Sequence, residues 1–143
     1  MKNKLIAYIN ILFLIIQLFL SAIIILTRKQ IPLHWDIYGK IDSYGSAWNI
    51  VILALLNIFF NVIFHWLKRH PECCNFPRSF KNPNIAFKNM SNLIQWLELY
   101  ASLLFLYITI GIIFHRIWIW LFFTLIIAFM FSIIIYIVKL WKS

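Results

Sequence analysis

Four apolar runs, each long enough to cross a bilayer, constrain this chain more than any other feature. Leu5–Thr27, Trp48–Leu67, Leu93–Phe114 and Ile117–Val138 each hold 20 residues or more, and Glu98 is the one formal charge inside them. A helix rises about 1.5 Å per residue, so about 20 apolar residues cover roughly 30 Å of hydrocarbon. The runs are continuous and lack the alternation of a membrane barrel strand, which selects helices. The expected fold is an all-α integral membrane protein, a single domain of four transmembrane helices over residues 1–143. Loop 28–47 joins the first two helices, and loop 68–92 joins the second and third.

Composition agrees. Hydrophobic residues make up 64% of the 143 residues and charged residues 12%, against about 45–50% and about 25% in soluble domains. Lys2 and Lys4 precede the first run, as in a secretory signal. That run exceeds the usual 7–15 apolar residues and no A-x-A site follows it, so it reads as a retained helix.

Basic residues set the orientation. With the N-terminus in the cytoplasm, Lys2, Lys4, Lys68, Arg69, Arg78, Lys81, Lys88, Lys139 and Lys142 lie inside. Arg28, Lys29, Lys40 and Arg116 lie outside, and this bias places both termini in the cytoplasm. The net charge of +9 then reads as topogenic and lipid-facing. No basic helix and no interleaving of aromatic with basic residues marks a nucleic-acid partner.

Cys73 and Cys74 are adjacent, in the expected cytoplasmic loop. No second CxxC or His pair gives them a zinc spacing, so no metal site is assigned there. Loop 68–92, rich in Pro and Asn, is expected to be irregular, with Phe76, Phe80 and Phe87 dipping into the interface. Asn92, three residues before Gln95, is the expected cap of the third helix. A short echo, VIFHW at 62–66 and IIFHR at 112–116, places a His near the end of two helices.

Polar residues inside the runs form stripes. Asn57, Asn61 and His65 recur every four residues on the second helix. Glu98, Ser102 and Thr109 share a face of the third, and Asn10, Gln17 and Ser21 a face of the first. Such faces turn inward in lipid, because an amide or carboxyl in hydrocarbon must find a partner. The fourth run, poor in polar residues, is expected to face lipid most. Glu98 and the Asn61/His65 turn lie at matching depths, so Glu98 is expected to pack against the Asn57/Asn61/His65 face. An intramembrane acid is a functional candidate, and equally a complement to the N-terminal end of its own helix.

Residues 31–45 read IPLHWDIYGKIDSYG. Pro32 fixes the backbone, Gly39 and Gly45 permit turns, and Trp35, Tyr38 and Tyr44 are interfacial aromatics. The loop is therefore expected to be compact and to rest on the outer headgroups. His34, Asp36 and Asp42 could ligate a cation or hydrogen-bond the loop together, with His115 and Arg116 near. No diagnostic metal spacing occurs, so neither a metal nor any other cofactor is assigned.

This stretch, with its place between two transmembrane helices, resembles the signature of the small membrane domain found in the SdpI family, bacterial proteins that give immunity to a sporulation-delaying toxin. Pro32, His34, Asp36, Gly39, Asp42 and Gly45 occupy the signature positions. Ser46, Ala47 and Trp48 stand where that family usually places a Lys. The resemblance covers the first half of the chain and implies a multi-pass protein of the bacterial cytoplasmic membrane. In the best-understood relatives, the protein protects against a secreted peptide and helps sequester a cytoplasmic repressor. It thus implies a peptide toxin or envelope ligand outside and a cytoplasmic protein partner inside.

Two function classes stay open. One is a binding, immunity or signalling protein acting through its outer loop. The other is a membrane enzyme or transport component using His34, Asp36 and Asp42, or Glu98. No nucleophile–base pair, phosphate loop or zincin helix is present, so the first class ranks above the second and no catalytic residue is assigned.

Overall fold

The computed structural model describes residues 2–74 and 81–142. In chain order it contains α1 (Lys2–Thr27), β1 (Gln30–Trp35), β2 (Ile41–Ser46), a 3-10 turn (Ala47–Asn49) and α2 (Ile50–Arg69). A second 3-10 turn (Pro71–Cys73), α3 (Pro83–Phe114) and α4 (Ile119–Trp141) follow. The four α-helices are long and apolar enough to cross a membrane. α3 is the hub, packing against the other three, and α1 also meets α2.

Two sequence expectations need correction. The four helices stand, but the segment expected as a loop between the first two contains an antiparallel β-hairpin of β1 and β2. Hydropathy does not register it: β1 and β2 are short strands whose partner is each other. The third helix starts at Pro83, ten residues before Leu93, so loop 68–92 is helical over its second half. Asn82, not Asn92, is its cap: the Asn82 carboxamide oxygen accepts from Ile85 N at 3.4 Å, and Pro83 sits where no amide is needed. The first turns are polar, so an apolar-window reading begins too late. At 32 residues α3 is about 48 Å long, longer than a bilayer is thick. Phe87 lies on this helical part, and Phe76 and Phe80 fall outside the described residues.

Apolar clusters close the bundle at both ends. Ile24, Ile31, Ala47, Ile50 and Ile112 join the hairpin to α1, α2 and α3, with Trp35 against them. At the opposite end Ala86, Met90, Leu93 and Ile94 of α3 pack with Leu140 of α4. Between the clusters a polar network joins α1, α2 and α3, beside apolar contacts such as Phe60 with Phe105. Asn10, Gln17, Ser21, Asn57, Asn61, Ser102 and Thr109 are all buried, so the stripes turn inward except at His65, which is exposed. Asn10 Nδ2 donates to Asn61 Oδ1 at 2.7 Å, and Asn61 Nδ2 donates to Ser102 Oγ at 2.8 Å. Asn57 Nδ2 reaches Gln17 Oε1 and Gln17 Nε2 reaches Thr109 Oγ1, both at 3.4 Å. Lipid tails are as apolar as leucine, so helices gain little from burying apolar surface on one another. Directional bonds of about 0.6 kcal/mol each on average then fix which faces meet. None of the most apolar stretch of α4 is buried.

Candidate functional site

Asp36 builds the hairpin turn. Its carboxylate Oδ1 accepts from Tyr38 N and Lys40 N, both at 2.8 Å. Its backbone exchanges bonds with Lys40 O and Gly39 N. Gly39 has φ +78, and a Cβ there would lie 2.7 Å from Ile117 O, so both conformation and close approach to the α3–α4 turn require glycine. Asp36 is thus occupied in holding the turn.

Pro32 is fully buried in β1, on a two-stranded sheet whose outer edges need no donor from it. The register then slips between Pro32 and Trp35: His34 pairs with Ser43, and Trp35 with Ile41. Leu33 and Asp42 are the extra residues, and such bulges re-aim side chains. His34 and Asp42 meet there. His34 Nδ1 lies 2.6 Å from Asp42 Oδ1 and 2.8 Å from Oδ2. A carboxylate oxygen accepts, so Nδ1 carries the hydrogen, which orients the ring and leaves Nε2 unengaged. The side chains are 68% and 47% exposed, which presents an oriented imidazole to whatever lies above the hairpin. Leu33, Ile37, Tyr38 and Tyr44 are exposed around it. Gly45 leaves no room for a Cβ beside the Leu33 side chain and Asn49 Nδ2.

The base of the hairpin is tied to α3. Arg28 donates from Nη1 to Ile112 O at 3.0 Å and from Nη2 to Ile113 O at 2.8 Å, and Nη1 also reaches His115 Nε2 at 2.7 Å. These carbonyls belong to the last turn of α3, where Ile112 O also accepts from His115 N and where a cation is favoured by the helix dipole. His115 ends the helix in the left-handed conformation, φ 51, and its ring lies 6.4 Å from that of Tyr44. Sequence reading counted Arg28 as a topogenic charge. Its place one residue past α1 gives no sign that its partner is a helix 84 residues away.

At the opposite end the expected grouping is rearranged. Asn57 and Asn61 are buried against α1 and α3, but His65 is exposed and does not share their buried face. Glu98 is buried, with Oε2 2.7 Å from Lys68 Nζ and Oε1 3.9 Å from His65 Nδ1. Its chief partner is a lysine one residue past the apolar run, which depth matching to the Asn and His residues overlooked. Among the described residues no three His, Cys, Asp or Glu side chains converge as a metal site.

Residues 29–58 match the model of a domain of unknown function, DUF1648. The matched stretch takes in the whole hairpin and the first turns of α2. No curated protein and no solved structure matches the chain.

Proposed function

We propose that this chain is an SdpI-like protein of the bacterial cytoplasmic membrane, with both termini inside, whose outer hairpin recognises a peptide or envelope ligand. The observation that carries this reading is the exposed His34–Asp42 pair on a hairpin fixed by its own bonds and by an apolar anchor. Asp36 closes the turn, Gly39 seats it on Ile117, and Ile31 and Trp35 anchor it in the apolar cluster. A preorganised element loses little further entropy on binding, and its polar tip is framed by exposed apolar side chains suited to an amphipathic ligand. Recognition outside would act as immunity or as a signal to a cytoplasmic protein. The basic inner segments at the opposite end are the part within reach of such a partner.

The test is to delete the gene and challenge the cells with secreted peptides of neighbouring strains. Sensitivity that appears on deletion and is reversed by re-expression supports the reading. An unchanged response to every peptide and envelope stress removes its basis.

A further inference from the structure

A crevice of about 790 Å³ opens between the hairpin tip and the start of α4, lined by Ile37, Tyr38, Gly39, Arg116, Trp118 and Trp120 among others. Arg116 is exposed, and its guanidinium makes no hydrogen bond or ion pair among the described residues. The nearby carboxylates are engaged elsewhere, Asp36 with backbone amides and Asp42 with His34. A free guanidinium in a cleft presents a planar fork that fits phosphate oxygens. α4 also begins here without a side-chain cap, which adds a favourable field for an anion.

The surface leading away from the crevice identifies the rest of the ligand. Trp120, Phe123, Ile127, Phe131 and Ile134 are all exposed and recur at spacings of three and four, so they form one apolar stripe down α4. The stripe runs through the depth that hydrocarbon occupies. An extended peptide lying along it would bury unpaired backbone groups in lipid, a helix would pair its own but offer no phosphate to Arg116, and an acyl chain joined to a phosphate headgroup matches both the stripe and the guanidinium. Trp118, Trp120 and Tyr38 mark the headgroup level, where aromatic belts sit.

We propose that this crevice is a binding site for an anionic phospholipid of the leaflet at the hairpin end. Its phosphate sits on Arg116 and an acyl chain lies along the Trp120–Ile134 stripe. A lipid held there pins the hairpin tip at the headgroup level. The site adjoins the recognition surface and shares Ile37 and Tyr38 with its frame, but neither His34 nor Asp42 lines it, so either reading can fail alone.

The experiment is native mass spectrometry of the full chain in detergent, titrated with phosphatidylglycerol or phosphatidylcholine of identical chains. Wild type is expected to prefer phosphatidylglycerol by at least about fivefold, the ratio that about 1 kcal/mol per basic contact gives. Arg116→Gln should erase the preference and Arg116→Lys restore part of it. Lys29→Gln, a basic change outside the crevice, should leave it intact, and Trp120→Ala should weaken retention of both lipids. Equal binding of the two lipids by wild type overturns the proposal, as does an Arg116→Gln protein that keeps the preference. A loss as large in Lys29→Gln also overturns it, since diffuse charge would then suffice. So does a lipid-free dimer that occupies the face instead.

Discussion

Replacing Lys68 by Met should destabilise the bundle more than replacing its partner Glu98 by Gln. The Glu98 side chain is 6% exposed and that of Lys68 17%. Removing Lys68 leaves a buried carboxylate whose remaining cationic candidate, His65, is 3.9 Å away. Breaking a buried pair by removing one partner costs about 3–5 kcal/mol. Lys68 is part-exposed near the end of α2, which places this case at the low end, about 3 kcal/mol. Glu98→Gln leaves a lysine on a flexible stem that can turn its ammonium outward, so about 1 kcal/mol is expected. With both changes no charge is stranded, and the double variant should lie near Glu98→Gln, a coupling of about 2–3 kcal/mol. The assay is unfolding in mixed micelles titrated with dodecyl sulfate, followed by tryptophan fluorescence. Additive losses, or a Glu98→Gln protein weaker than Lys68→Met, would refute the reasoning.

Gly39→Ala should loosen the hairpin tip: the left-handed conformation costs about 1 kcal/mol with a Cβ, and the clash with Ile117 O adds to it. Faster exchange of the Lys40 amide, with bundle stability unchanged, is the expected result. Asn61→Leu removes bonds to Asn10, Asn57 and Ser102 together and should cost about 1–2 kcal/mol in the same micelle assay. Burial, then the neighbouring Cys73 and Glu72, push the Cys74 thiol above its ordinary value, whereas Cys73 is exposed. A raised value means less thiolate at about pH 8, so a protein keeping Cys73 alone should react with maleimide faster than one keeping Cys74 alone. In intact cells both thiols should resist a membrane-impermeant maleimide, since the proposed topology places them inside; labelling would reverse that topology.

Apolar length made the four helices legible, because about 20 residues without charge have few other uses. The inward turn of Asn10, Gln17, Asn57 and Ser102 was legible for the same reason: polar side chains set in such apolar runs are expected to turn to one another. The hairpin was not, since its strands are short, carry Pro32 and Gly45, and are defined by pairing with each other rather than by a local period. The early start of α3 escaped because capping by Asn82 acts on residues that hydropathy scores as loop. Lys68 and Arg28 escaped for a common reason. Each lies just beyond an apolar run, where a positive charge already has a sufficient explanation in the positive-inside rule. Their true partners, Glu98 and the α3 carbonyls, are set by tertiary packing. A bond between His34 and an aspartate of the loop was legible in the sequence, but that its partner is Asp42 depends on two compensating register slips, which spacing alone does not reveal.

The most direct test of the recognition reading is complementation of the deletion strain's sensitivity by single variants, with membrane abundance measured in the same cells. His34→Ala and Asp42→Ala are predicted to abolish protection at abundance near wild type, because each destroys the oriented imidazole and neither touches the apolar anchor. Asp36→Asn, which keeps the oxygen that holds Tyr38 N and Lys40 N, is predicted to be milder. Full protection by both alanine variants at normal abundance would contradict the account.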